Sequence, residues 1–324
     1  MILTDWTRCL QAESVETEKP GEVLVARAHP WRGYFFIAAA TLCWGAAAAF
    51  GKAVFSGSLF AGRSLISPLI LSQTRVTFAV LVLLVSLSWR YGREFFRISG
   101  RDLVLCILIG TLGIAGSNYF YYVAIQKTTV AVAIILQYTS PIWVLLYMVL
   151  RGRQRATVER ITAVLLAMVG VALAIGLFRS DIRLNTGGVT AAMVAAFSFS
   201  FYIVTGQRLV TRNHQLKVMT YTLLGAAVLW LVVNPPWRLI AQHYSVEQWV
   251  FLFLFSCFSI LLPYIFYFTG LKYLDPTRAV VTSCLEPVFA ILFAVSFLNE
   301  TLRGMQALGI VAVLAATVMV QRGK

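Results

Sequence analysis

The chain has 324 residues, of which 59% are hydrophobic and only 12% are charged. A soluble globular protein carries about 25% charged residues, so this composition excludes an ordinary soluble domain and a disordered chain. The net charge of +14 lies in short clusters between long apolar runs. This pattern predicts loops that contact water and membrane lipid headgroups, and it argues against a nucleic-acid partner.

Ten apolar stretches are long enough to cross a bilayer, whose core requires about 20 helical residues. They are continuously apolar rather than alternating, which indicates helices and not barrel strands. We therefore predict an all-α integral membrane protein with ten transmembrane helices. In chain order the predicted spans are 33–51, 64–89, 103–125, 128–150, 161–178, 184–206, 218–237, 249–271, 279–299 and 304–321.

The orientation follows from the distribution of Lys and Arg in the connections. Residues 1–32 contain no apolar core of signal-peptide length, and we interpret them as a cytosolic N-terminal tail. With this tail inside, the inside segments carry 19 Lys and Arg residues and the outside loops carry six. This bias predicts a multi-pass protein of the cell's inner (plasma) membrane with both termini in the cytoplasm.

The two halves of the chain are similar to each other. Residues 119–127 match residues 264–272 at an offset of 145, and Pro141 matches Pro287 at an offset of 146. Five helices per copy is an odd number, so the second copy is inverted in the membrane. Inverted repeats of this kind build secondary transporters with a site near the midplane. We expect one five-helix repeat over residues 33–178 and a second over residues 184–321.

Ionisable side chains inside a membrane are costly and are therefore the first functional candidates. Arg75 and Glu286 are the two that lie deep in predicted spans, roughly 12 and 15 Å from a membrane face at 1.5 Å per helical residue. We expect them to share one cavity. Glu286 would be a proton-coupling or cation-binding acid, and Arg75 its counter-charge or an anion anchor. The alternative is that Arg75 and Glu286, or either of them with another partner, form a structural pair that fixes helix packing.

Prolines and aromatic residues complete the candidate site. Pro141 and Pro287 occupy matching positions, and Pro263 lies in the eighth predicted span. Each removes one helical hydrogen bond, so we predict kinks whose freed carbonyls line a cavity. The alternative is that these prolines are merely tolerated in their helices. Trp44 and Tyr138 are candidates for the lining of a mostly apolar pocket.

Signatures of catalysis are missing from the sequence. It contains no Ser-His-Asp arrangement, metal-ligand spacing or phosphate-binding loop. We therefore predict that the protein is not an enzyme and that it has no cofactor and no metal site. Without an ATP-binding motif, active transport would depend on an ion or solute gradient.

Several short motifs carry a family resemblance that covers about residues 33–321. They are Leu42-Cys-Trp44-Gly45 with Lys52, Arg75, and Leu285-Glu286-Pro287-Val-Phe running to Leu298-Asn-Glu300. With these motifs the sequence resembles the EamA family of ten-helix permeases in the drug/metabolite transporter superfamily. One departure is Arg151-Gly-Arg153-Gln154, which stands where the family commonly has a Gly-Glu pair.

The resemblance implies a secondary active exporter of small organic metabolites, amino-acid-like solutes or drugs that works by alternating access. Its partners would be a small-molecule substrate, protons where transport is proton-coupled, and membrane lipids. Two other classes stay open at this point. One is a membrane scaffold or sensor that transports nothing. The other is a membrane-embedded lipid-modifying enzyme, which requires a cluster of His, Asp or Glu at one membrane face.

Overall fold

A computed structural model describes residues 30–55, 66, 68–128, 130–176, 185–297 and 302–322. Within these ranges the chain forms ten long helical elements. Their bounds are α1 Pro30–Phe55, α2 Pro68–Tyr91, α3 Gly100–Lys127, α4 in two segments Val130–Gln137 and Ser140–Leu150, α5 Val158–Ala174, α6 Thr186–Val210, α7 Gln215–Val233, α8 Val246–Tyr273, α9 in two segments Pro276–Ser283 and Leu285–Phe297, and α10 Gly304–Arg322. Apart from residues 30–32, the predicted N-terminal tail lies outside the described residues.

The helices have the lengths that a bilayer requires. Eight of them, α2 to α4 and α6 to α10, are long and apolar enough to cross a membrane by length and composition. The other two have 26 residues (α1) and 17 residues (α5), and a spanning helix requires about 17–25 residues. The prediction of an all-α membrane protein is confirmed, and the described helices agree with the predicted ten.

Helix ends differ from the predicted spans where local sequence decides the boundary. α7 ends at Val233 rather than at residue 237, because Pro235 and Pro236 cannot continue a helix. α8 begins at Val246, three residues earlier than predicted, because Ser245 caps it in a capping box. The predicted span starts at residues 64 and 184, and the predicted end at residue 299, lie outside the described residues.

The first helix of each repeat packs against helices of the other repeat. α1 packs on α8 and α9, and α6 packs in the same way on α3 and α4. Glycines near the starts of α1 and α6 both lie against the other repeat, since Gly33 closely approaches Leu274 and Gly188 closely approaches Thr128. This reciprocal packing is what two inverted copies of one five-helix unit produce. It also places helices of both repeats around a common centre.

Gly45 sets the distance between α1 and the second segment of α9. A Cβ atom at this position would lie 2.8 Å from the backbone nitrogen of Ala290 and 2.9 Å from the carbonyl oxygen of Glu286. Small residues allow this close backbone approach between membrane helices. The glycine therefore helps to fix the position of the helix turn that carries Glu286.

We expect Gly45→Ala to push α1 and α9 apart. The cost of overpacking a close contact is about 1–3 kcal/mol, so the apparent unfolding temperature of the detergent-purified protein should fall. Gly304→Ala is the matched control, because a Cβ at this helical position would have no atom within 4 Å and alanine favours the helix. Equal unfolding temperatures for the two variants would contradict the close approach at Gly45.

The start of α7 is tied to the connection between α2 and α3. Lys217 Nζ donates to the carbonyl oxygen of Arg97 at 2.7 Å. The ring of His214 lies 5.3 Å from the ring of Phe95, measured between centroids. His214 also caps α7, since its Nδ1 accepts a hydrogen bond from the amide of Leu216 at 3.3 Å. This contact requires Nδ1 to be unprotonated.

Stability should therefore depend on pH through His214. Burial, followed by the positive charges of Lys272 and Lys217, lowers the pKa of His214 below its ordinary value of 6.5. The unfolded chain then binds the proton more readily than the folded chain. The stability contributed by neutral His214 is present above about pH 6.5 and is lost as the pH falls below that value.

The test compares apparent unfolding temperatures at about pH 7.5 and about pH 5.5, on either side of the ordinary histidine pKa. His214→Asn keeps a capping acceptor but does not titrate, so acidification should lower its unfolding temperature less than that of the wild type. His243→Asn changes an exposed loop histidine and should follow the wild type. Identical pH profiles for wild type and His214→Asn would exclude this role.

Candidate functional site

A cavity of about 960 Å³ lies between the two repeats. Seven helices contribute to its wall, namely α1 to α4, α6, α8 and α9. This volume lies within the range of about 300–1,000 Å³ that is typical of small-molecule sites. Five of the predicted site residues line the cavity, and two are not among its lining residues. The lining residues are Glu286, Arg75, Trp44, Tyr138 and Pro287, and the other two are Pro141 and Pro263.

Both α4 and α9 are broken beside the cavity. The break in α4 includes Tyr138, and the break in α9 lies at Cys284, the matching position 146 residues later. Pro141 and Pro287 follow these breaks. Because proline has no N–H group, each leaves the carbonyl four residues earlier without its helical donor. The structure thus places a helix break beside each of the two matching prolines.

One side-chain contact joins the two breaks. The hydroxyl of Tyr138 donates a hydrogen bond to Oε2 of Glu286 at 3.1 Å. Glu286 lies in the first turn of the second α9 segment, where unpaired amides and the helix dipole favour a carboxylate. Its Oε1 has no hydrogen-bond partner among the described residues. One carboxylate oxygen is therefore held by the protein, and the other is available to a solute.

Arg75 reaches the cavity from α2 and is held by α8. Its Nε donates to the hydroxyl of Ser259 at 2.7 Å, and its Nη2 donates to the carbonyl oxygen of the same residue at 3.1 Å. The guanidinium carbon lies 5.3 Å from the ring centroid of Phe255, a cation–π distance. Arg75 and Glu286 thus share the cavity, and they form no direct ion pair within 4.0 Å.

Aromatic side chains from both repeats line the cavity, namely Trp44, Tyr202 and Tyr264. The centroid of Trp44 lies 5.5 Å from that of Tyr264 and 5.2 Å from that of Tyr267. Tyr202 stacks on Tyr267 at 5.6 Å. Tyr202 is 1% exposed, and its hydroxyl has no hydrogen-bond partner among the described residues. A buried hydroxyl without a partner is costly, and Tyr202 is one of the residues that line the cavity.

Sequence reasoning missed three residues at this site, namely Gln137, Tyr202 and Ser259. Gln137 lines the cavity, and its signal was an amide side chain next to Tyr138 at the end of an apolar run. Ser259 stands four residues before Pro263, the position whose carbonyl a proline releases. Tyr202 lies in an apolar span rich in aromatic residues, and no pattern distinguishes it there.

A family model described as the EamA-like transporter family matches residues 31–176 and 186–322. The chain belongs to the EamA-like transporter family. It is therefore a multi-pass membrane protein and a membrane transporter, as the motifs of the first and ninth helices predicted. For this EamA-family transporter, the cavity between the repeats is the natural candidate for the solute site.

Individual relatives agree with this membership. The chain is 21% identical to the uncharacterized inner membrane transporter YicL of Salmonella typhimurium over 294 residues, which is 89% of this chain and 95% of the relative. It is 29% identical to the threonine/homoserine exporter RhtA of Escherichia coli K12 over 217 residues, 66% of this chain and 70% of the relative. A solved crystal structure has the same fold, with a TM-score of 0.70 at 19% identity over 91% of this chain and 98% of the other.

Proposed function

We propose that this EamA-family transporter is a secondary active exporter of small amino-acid-like solutes. The observation that carries the proposal is a carboxylate and a guanidinium that line one cavity without pairing with each other. Such a cavity suits a solute that carries both an ammonium group and a carboxylate. Threonine and homoserine, which the name of the RhtA relatives gives as exported compounds, are solutes of this kind.

Each end of the solute has a partner in the cavity. The ammonium group binds Oε1 of Glu286, and the carboxylate binds the N–H groups of Arg75 that Ser259 does not occupy. Hydrogen bonds between ionised groups are about twice as strong as neutral ones. Trp44 and Tyr202 contact the body of the solute, and the unpartnered hydroxyl of Tyr202 accepts or donates a hydrogen bond.

Alternating access follows from the inverted repeats. Rocking of one repeat against the other opens the cavity first to one face of the membrane and then to the other. The breaks in α4 and α9 lie at the cavity, and the contact between Tyr138 and Glu286 joins them. The excess of Lys and Arg in one set of connections supports an inner-membrane location with both termini in the cytoplasm.

Glu286 also offers a physical basis for proton coupling. A protonated carboxyl group has lost the charge that attracts an ammonium ion, so proton and solute compete for the same group. If the proton binds on the outer side and is released on the inner side, solute leaves Glu286 in the direction opposite to the proton. The outward movement of solute is then driven by the inward proton gradient.

The experiment uses wild-type protein and Glu286→Gln in proteoliposomes, with labelled L-threonine or L-homoserine as solute and a pH-sensitive dye. We expect solute movement in the wild type to be accompanied by opposite proton movement. Glu286→Gln keeps the shape of the side chain but loses its charge, so flux should fall at least about tenfold, equivalent to about 1.4 kcal/mol. The proton signal should disappear. Glu159→Gln, at an exposed position of α5, should behave like the wild type.

Other outcomes would change the proposal in defined ways. Equal flux and equal proton signals in wild type and Glu286→Gln would exclude Glu286 as the coupling group. Solute flux without a proton signal in both proteins would replace proton coupling by solute exchange. A wild-type protein that moves neither amino acid would exclude this substrate class, and cationic drugs and other metabolites would be tested next.

A further inference from the structure

In α8, the backbone carbonyl of Ser259 lacks its α-helical donor. Residues Cys257–Leu261 form a π-helical turn, and Pro263 follows within the same helix. Because proline lacks an N–H group, the carbonyl of Ser259 loses the donor that an α-helix would supply from four residues later. A backbone carbonyl in a dry membrane interior requires another donor. A charged side chain, that of Arg75, donates to this carbonyl.

Arg75 satisfies this carbonyl and at the same time contacts the side chain of Ser259. Nη2 of Arg75 donates to the carbonyl at 3.1 Å, and Nε donates to the Ser259 hydroxyl at 2.7 Å. The Ser259 hydroxyl in turn donates to the carbonyl of Phe255. Because the guanidinium is planar and its N–H directions are rigid, two contacts on one edge fix the plane of the group.

The remaining edge of the guanidinium stays available. Arg75 has five N–H groups and uses two on Ser259, so three have no partner among the described residues. Without the Ser259 hydroxyl, the bond to the carbonyl and the contact with the Phe255 ring would no longer fix the plane of the group, and it could rotate. Glu286 is the acid that lines the same cavity, and opposite charges attract strongly where water is excluded. An unrestrained Arg75 would therefore move towards Glu286.

The first repeat handles the corresponding carbonyl differently. The position that matches Ser259 is Ile114, within the π-helical turn Ile109–Ala115 of α3. The residue that matches Pro263 is Asn118, whose side-chain Nδ2 donates to the carbonyl of Ile114 at 2.7 Å. There the carbonyl is satisfied from within its own helix. In the second repeat, Pro263 occupies the position of this asparagine, and the carbonyl accepts a hydrogen bond from Arg75 instead.

We propose that Ser259 is a positioning residue of the transport site, which holds Arg75 on α8 and keeps its guanidinium from pairing with Glu286. Both charges then stay available for the two ends of a zwitterionic solute. Ser259 does not itself contact the solute. This inference rests on the proposed function for the identity of the solute, but the separation of the two charges can be measured without any solute.

The transport test compares Ser259→Ala with Ser256→Ala. Ser256 is a matched control, because it is equally buried on the same helix and its hydroxyl donates to the backbone carbonyl of Arg75 rather than contacting the guanidinium. L-threonine is compared with L-threoninamide, which lacks the carboxylate. Ser259→Ala should raise the KM for L-threonine about tenfold, the effect of losing one hydrogen bond to a charged group. The KM for L-threoninamide should change less than about twofold, and Ser256→Ala should alter neither.

A second measurement requires no transported solute. Apparent unfolding temperatures are measured for Arg75→Gln, Glu286→Gln and the double variant, first in the wild-type background and then in Ser259→Ala. With Ser259 present the two effects should add, because the charges are held apart. Without the Ser259 hydroxyl the effects should become non-additive, because Arg75 then pairs with Glu286. Ser256→Ala should leave them additive.

The two measurements separate the inference from the proposed function. If the wild type moves neither compound, the amino-acid substrate class is wrong, and the unfolding cycle alone decides the role of Ser259. The inference is overturned if the coupling between positions 75 and 286 is the same with and without the Ser259 hydroxyl. It is also overturned if Ser259→Ala shifts the KM of both compounds equally, or of neither.

Discussion

The requirement that every backbone carbonyl in a membrane finds a donor governs where the helices of this transporter depart from regular geometry. Water is absent from the lipid core, so an irregular turn is tolerated only beside a cavity or another helix. Pro141, Pro263 and Pro287 each remove one amide donor. All three stand on helices that surround the same cavity. The irregular backbone is therefore concentrated where a solute can be bound.

The two repeats share one arrangement of helices, but several residues that line or shape the cavity differ between them. The position matching Glu286 is Ser140, and the position matching Pro263 is Asn118. A second glutamate at the Ser140 position would bring two like charges into one cavity, where they would repel each other. Among the described residues that line the cavity, one acid and one base instead give it a direction, with a negative end at α9 and a positive end at α2. In the proposed mechanism, the symmetric arrangement of helices permits rocking, and the asymmetric charges orient the solute.

Most of the transmembrane helices could be predicted from the sequence, because the length and continuity of apolar runs are local properties. The same is true of the depth of Glu286 and Arg75 in their helices. The hydrogen bond from Tyr138 to Glu286 joins residues 148 positions apart, and the rotation of two broken helices decides whether it forms. Pro263 predicts that the Ser259 carbonyl lacks its α-helical donor. Whether Arg75 reaches this carbonyl depends on how α2 packs on α8. Hydropathy contains no information on that packing.

The separation of Arg75 from Glu286 has a consequence for affinity. Two unit charges 4 Å apart attract by about 4 kcal/mol at an effective dielectric constant of 20. A solute that binds to a preformed ion pair must first break that pair, so most of its own ionic attraction is cancelled. Arg75 is instead satisfied by Ser259, and Glu286 by Tyr138. Beside these neutral partners, each charged group keeps further hydrogen-bonding atoms to which a doubly charged solute can bind without breaking an ion pair. The proposed site is therefore organised for binding before a solute arrives.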